Sequence, residues 1–247
     1  MAESLIHGVN AVTEGLRAGG RADRLYVASD AKVRGCGALL EIAREKDVRV
    51  EYVPQAKLNE LTGTHEHQGV ALRVSPVAYA ELSAVLEHLP RQALLLALDQ
   101  VQHPRTFGMM LRSAWGAGVQ GVIVGDKGGA LVDDSVVRAS AGAVLHVPVI
   151  KQANLTQCLK TLKDHGFWVH GLAGDGAEDV FALPWAERVV LVVGNETSGL
   201  RPGVRKVCDA LVRIPLAHGV DSLNASIAAS IALFQVSAAH GRSARPT

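Results

Sequence analysis

Three short segments of this 247-residue chain carry glycine, arginine and polar residues in patterns a plain scaffold does not require. The first is LDQVQHPRTFGMMLRSAWGAGV (98–119), where an apolar strand ends at Asp99, a turn holds Pro104 and Gly108, and a helix presents Arg112. The second is LVVGNETSGLRP (191–202), where an apolar strand ends at Gly194 and a polar turn carries Glu196, Thr197 and Ser198 before Gly199. The third is IPLAHGVDSLNASIAASIALF (214–234), which leads from a short strand through a polar loop into Ser222, Leu223 and Asn224 at the head of the last helix. Open α/β sheets place ligands beyond the carboxyl ends of their strands, and glycine lets a ligand approach the backbone closely. Each segment also has an ordinary reading: a solvated arginine, a strand-to-helix turn, and a helix cap at Asp221 or Ser222. Capping at those two positions does not account for Asn224 and Ser226, which are merely tolerated inside a helix.

Other chemistries lack their signatures. No GxGxxG opens a helix, no GxxxxGK[ST] loop is present, and no GxSxG elbow occurs. His65 and His67 in THEHQG have no third partner at zinc spacing, so no metal is expected and the pair reads as a surface turn before a strand. Cys36, Cys158 and Cys208 are scattered and odd in number, which gives no disulfide framework and suits a reducing compartment.

The elements that must hold these segments form two α/β series. In the first, residues 8–18 read as a helix, 25–28 as a strand, 32–46 as a helix, 48–53 as a strand, 57–61 as a short helix and 69–74 as a strand. Pro76 and Pro90 then bracket a polar, partly helical stretch that reads as a linker. In the second series the apolar runs 93–99, 119–125, 144–150, 167–173, 188–194 and 210–216 read as strands buried on both faces of a parallel sheet. Helices are expected at 108–117, 133–141 and 154–165, and a long closing helix from Ser222 to about His240. The expected organisation is a small α/β domain over 1–75, a linker over 76–92 and an α/β domain over 93–247, ending in a frayed tail at 241–247.

Composition sets bounds without naming a partner. Hydrophobic residues make up 48% and charged residues 20%, the balance of a folded globular protein. The longest apolar runs are far too short to span a bilayer, and the first residues, MAESLIHGVN, do not form a basic-then-apolar leader, so a cytoplasmic location is expected. Net charge is +1, divided as −2 over residues 1–90 and +3 over 91–247, so any nucleic-acid contact must rely on a local basic patch.

In these segments the chain resembles the SpoU (TrmH) family of RNA ribose methyltransferases, within the SPOUT group, and most closely the 23S ribosomal RNA guanosine-2′-O-methyltransferase branch. HGVNAVTEGLR (7–17) and HQGVALRV (67–74) are similar to that branch's substrate-binding domain, and the three motifs occur in the family's order and spacing. The resemblance implies a ribosomal-protein L30e-like N-terminal domain and a C-terminal α/β domain tied in a deep trefoil knot, a rare exception to ordinary topology. It implies S-adenosyl-L-methionine as cofactor, with Gly194, Asn195, Ile214, Leu216 and Leu223 as the positions that would hold it. It also implies Arg112, Glu196, Ser222 and Asn224 as catalytic positions, a homodimer with its active site near the interface, and RNA, not DNA, as substrate. Arginine is a poor base, and its forked donors match phosphate, so phosphate binding is the role expected of Arg112. One motif departs from the family. Where Asp-Pro-x-Asn is usual, this chain has His103-Pro104-Arg105-Thr106, and threonine lacks the amide's paired hydrogen-bonding groups. Methylation of a transfer RNA, or a non-catalytic role in ribosome assembly on the same fold, are the alternatives to ribosomal RNA methylation.

Overall fold

The computed structural model describes residues 4–18, 22–30, 33, 35–75 and 77–241. In chain order the elements are β1 (Ser4–His7), α1 (Val9–Arg17), β2 (Ala22–Ala28), α2 (Cys36–Glu45), β3 (Arg49–Val53), α3 (Gln55–Thr62), β4 (Val70–Val74), α4 (Leu82–Glu87), β5 (Ala93–Asp99), α5 (Pro104–Gly116), β6 (Gly121–Gly125), α6 (Asp134–Ala139), β7 (Val149–Gln152), α7 (Leu155–Asp164), β8 (Trp168–Leu172), β9 (Glu178–Asp179), β10 (Arg188–Gly194), α8 (Pro202–Arg205), β11 (Ala210–Arg213) and α9 (Ala225–Ala239). Residues 32 and 34 of the expected helix over 32–46, residue 76 of the expected linker, and 242–247 of the expected tail lie outside the described residues. The described chain groups into two compact units. One takes in residues up to Ala78 together with Val132–His146; the other takes in Tyr79–Leu131 and Val147 onward.

The first unit is a four-stranded sheet in the order β1-β4-β2-β3. β1 and β2 pair antiparallel with β4, and β3 runs parallel to β2. Alternation along the strands sends Tyr26, Ala28, Val53 and Ala71 to one face, where Leu58 of α3 covers them. The other face meets α1, whose Gly15 leaves no room for a side chain against Ile6 and Leu72. The segment 132–146, which the strand pattern places with the later elements, joins this unit. Val136, Val137, Ala143 and Val144 are buried there, and His146 Nε2 lies 3.2 Å from Glu14 Oε2. His67 is buried rather than on a surface turn. The Gly69 N–H donates to its Nδ1 (3.0 Å), which leaves Nε2 to donate to Asn59 Oδ1 (2.8 Å).

The second unit is a seven-stranded parallel sheet in the order β7-β6-β5-β10-β8-β11-β9. All seven residues of β5 are buried, as a strand covered on both faces requires. One face carries Leu95, Ala97, Ile123, Val190 and Val192 against Leu155, Leu159 and Leu162 of α7. Part of the stretch expected as a linker folds as α4, and Leu82, Val85, Leu86 and Leu89 pack on this same core. The run 144–150 is not one strand: Ala143–Leu145 forms a 3-10 turn and β7 starts only at Val149.

On the sheet's other side α5 and α9 run side by side. Ser226 Oγ lies 3.9 Å from Met109 Sδ, Ser113 and Ser230 hydroxyls meet at 2.6 Å, and Phe234 lies across Gly116. The near-constant offset between partners means that the two helices point the same way.

Candidate active site

Strands β10, β8 and β11 are neighbours, and their carboxyl ends open on a cavity of about 390 Å³. Its walls are Leu172–Asp175 after β8, Val193–Leu200 at the end of β10, Ile214 and Leu216 after β11, and Asp221–Leu223 leading into α9. This is the volume of a small-molecule site, at the edge where parallel sheets place ligands.

The loop after β10 is tightly fixed. A Cβ on Gly194 would stand 2.5 Å from both the Gly199 carbonyl oxygen and the Leu200 nitrogen, so only glycine fits. Asn195 and Gly199 exchange backbone hydrogen bonds (3.1 and 2.9 Å), and Gly199 takes φ +67°. Asn195 Oδ1 accepts from the Thr197 and Ser198 amides, while Asn195 Nδ2 donates to the Gln100 carbonyl (2.9 Å). Fully buried Asp99 accepts from Arg201 N (2.8 Å) and Arg201 Nε (2.6 Å). The end of β5 thus anchors both ends of the loop that lines the cavity.

The cavity's electrostatics are acidic. Asp175 and Arg205 form a two-pronged ion pair at its lip (3.2 and 2.8 Å), which holds the Asp175 carboxyl below its usual range and the Arg205 guanidinium above its own. Asp221 is exposed. Glu196 differs from both: its two carboxylate oxygens are shielded from solvent and have no hydrogen-bond partner among the described residues.

Of the positions singled out in the sequence, Gly194, Asn195, Glu196, Ile214, Leu216, Ser222 and Leu223 line this cavity. Asn224 does not; it is the N-cap of α9, its Oδ1 accepting from Ser226 N (2.9 Å) and Ser226 Oγ (2.6 Å). The cap expected at Asp221 or Ser222 therefore sits two or three residues later, and capping does account for Asn224 and for Ser226. Arg112 is exposed on α5, is not among the cavity residues, and has no hydrogen bond or ion pair among the described residues. On its helix face it is flanked by Met109 and Trp115, which are 41% and 40% exposed. Thr106 is buried in the first turn of α5, and His103 is that helix's N-cap residue without a side-chain bond. Asp99, Asp175 and Arg205 were not singled out. Only the rule that strand ends hold ligands pointed toward their positions.

Comparison with known proteins settles the family. The SpoU rRNA methylase family matches residues 93–234, and the RNA 2′-O ribose methyltransferase substrate-binding family matches residues 5–80. The chain belongs to the SpoU (TrmH) family of RNA methyltransferases. A Staphylococcus aureus (strain COL) protein named for the TrmH family of tRNA/rRNA methyltransferases is 34% identical over 239 residues, 96% of each chain. The crystal structure of an AdoMet-bound rRNA methyltransferase from Sinorhizobium meliloti superposes with TM-score 0.77 at 25% identity, over 95% of this chain and 86% of that one. The SpoU methyltransferase AviRb of Streptomyces viridochromogenes, solved with AdoMet, shares the fold with TM-score 0.80 at 23% identity, over 98% and 92% of the two chains. Among the described residues of this SpoU methyltransferase, no group of three or more His, Cys, Asp or Glu could hold a metal ion, and no helix is long and apolar enough to cross a membrane.

Proposed function

We propose that this SpoU methyltransferase uses S-adenosyl-L-methionine to methylate a ribose 2′-hydroxyl in RNA, with 23S ribosomal RNA as the substrate. The observation that carries the proposal is the single cavity that gathers residues of the second and third motifs. The residues present suit the cofactor. Ile214, Leu216 and Leu223 offer apolar contact to a purine, the glycine-bounded loop offers backbone groups, and an acidic lining with an unpartnered Glu196 suits a cationic ligand. When bound, the cofactor supplies a methyl group already activated by its sulfonium charge. The chain's work is to hold donor and acceptor in line, which can supply much of the acceleration. Ser222 orients the ribose, and Asn224 holds the head of α9 so that Ser222 and Leu223 face the cavity. Support for ribosomal over transfer RNA comes from the first unit, which matches the substrate-binding family and would grip a large folded RNA.

Arg112 lies outside the cavity of its own chain. It stands in an exposed apolar stripe with Met109 and Trp115, beside a helix that exposes Ile227 and Phe234. Patches of this kind mark association surfaces. The reading is a homodimer through α5 and α9, which places Arg112 at the interface where it binds an RNA phosphate. A trefoil knot in the second unit, an L30e-like first unit and a cytoplasmic location complete the proposal. Tritiated S-adenosyl-L-methionine incubated with unmodified large-subunit ribosomal RNA, and with transfer RNA in parallel, tests it. Label in the ribosomal RNA is expected, label only in transfer RNA would change the substrate, and label in neither would overturn the reading.

A further inference from the structure

We propose that the first unit grips the phosphodiester backbone of the RNA on a row of three arginines, Arg73, Arg24 and Arg49, laid across one face of its sheet. This inference rests on the proposed RNA methylation and names how the RNA is held. The row follows from strand register. Arg24 on β2 pairs with Arg73 of β4 on one side and with Arg49 of β3 on the other. Residues paired in register project from the same face, and strands lie about 4.8 Å apart, so the three side chains stand abreast over roughly 10 Å. It is the face whose other end, with Tyr26, Ala28, Val53 and Ala71, packs under Leu58 of α3. The row lies beyond that cover, with Arg49 exposed and Arg24 and Arg73 half-buried.

Composition does not explain the row, because residues 1–90 carry a net charge of −2. Like charges directly opposite on neighbouring strands repel, so the row weakens the sheet unless an anion lies over it. Charges on an outer strand deter pairing with another sheet, but Arg24 and Arg73 stand on β2 and β4, which are interior strands. The neighbours hold two of the side chains in place. The Arg73 guanidinium lies over the Tyr26 ring, 5.6 Å from its centroid. Arg24 Nη1 donates to Glu51 Oε2 (2.8 Å), two residues beyond Arg49 on the same face of β3. Glu51 thus offsets one of the three charges. Guanidinium forks match phosphate oxygens, and a polyanion engages all three at once where a small anion cannot. Contacts of this kind supply affinity and orientation without reading base sequence.

The experiment uses the full-length protein and unmodified 23S ribosomal RNA, with binding measured by filter retention between about 50 and 200 mM salt. Three variants are compared with the parent: Arg49→Gln with Arg73→Gln, Arg49→Lys with Arg73→Lys, and Glu51→Gln. For the glutamine pair, RNA affinity is expected to fall by about ten- to sixtyfold at 100 mM salt, with a salt slope shallower by about 1.4 to 1.8. Its methyl transfer is expected to be lost at low RNA concentration and to recover as RNA is raised. The lysine pair keeps both charges and is expected to keep the parent's slope. Glu51→Gln releases Arg24 and is expected to bind RNA more tightly, with a slope steeper by about one; a merely structural role for these residues predicts no such gain. A folded glutamine pair with the parent's affinity and slope overturns the proposal. If that pair fails to fold, judged by its melting curve, a Glu51→Gln variant that binds RNA no more tightly overturns it instead. A parent protein that neither binds nor methylates RNA would reject the proposed function itself, whereas failure of the variants alone rejects only the arginine row.

Discussion

At the scale of single residues, the site depends on positions that tolerate no substitute. Gly194 sits where any side chain would strike the backbone of Gly199 and Leu200. Gly194→Ala is therefore expected to displace the cavity loop, abolishing cofactor binding in calorimetry and lowering the melting temperature. Arg112→Ala is expected to leave cofactor affinity within about threefold while cutting transfer by about 100-fold or more; strong loss of cofactor affinity in that variant would refute a phosphate-binding role. His170 gives a pH-dependent term. Burial pulls its pKa down to about 4, partly opposed by Asp209, and its ring meets Trp185 edge-on at 5.0 Å. Above pH 6.5 it is neutral whether the chain is folded or not and contributes nothing to pH dependence. As pH falls from about 6.5 toward 4, the unfolded chain takes up a proton the folded one resists, so stability drops by up to about 3 kcal/mol. Denaturant midpoints at pH 7 and 4.5 check this, and His170→Phe should flatten the slope. The motif residues were legible in the sequence because their order and spacing are distinctive. Asp99 and the Asp175–Arg205 pair were not, because their roles arise from partners 102 and 30 positions away.

At the scale of elements, the helix ends carry the clearest lessons. The sequence offers Asp221 or Ser222 as the cap of α9 and reads Asn224 as merely tolerated inside the helix. The backbone decides, turning helical only at Ala225 and leaving Asn224 to cap. Asn224→Ala should cost about 1 kcal/mol of stability through the lost cap, with Asn224→Ser retaining most of it. α5 shows the reverse case. His103 caps with its backbone alone, its side chain making no cap bond. His103→Asp is expected to stabilise the protein by about 0.5–2 kcal/mol, read as a higher denaturant midpoint; no change would mean that Pro104 already fixes the helix start. The apolar-rich runs 93–99 and 188–194 match strands residue for residue; such a run has no period to read, and its seven-residue length is that of a buried strand, not of a helix. Short edge elements escaped: β1 has four residues, β9 two and α8 four, too few to show a period.

At the scale of the whole molecule, local pattern gives least. The helix α6 reads as part of the second series, yet its Val136 and Val137 bury with the first unit. Deleting residues 1–75 alone should therefore expose those valines and favour aggregation, whereas a chain that also lacks 132–146 is the fairer test of cofactor binding without the first unit. Light scattering and calorimetry on the two truncations would separate these outcomes. The covered faces of the second sheet follow from hydrophobic burial, but which helices cover them depends on long-range order that no short motif encodes. The central claim is the chemistry: methyl transfer to a ribose oxygen. Its most direct measurement is nuclease digestion and mass analysis of unmodified 23S ribosomal RNA after incubation with the protein and labelled S-adenosyl-L-methionine. The account predicts label in one 2′-O-methyl nucleoside, absent with Arg112→Ala. Label on a base, or label in neither base nor ribose despite measurable cofactor binding, would contradict it.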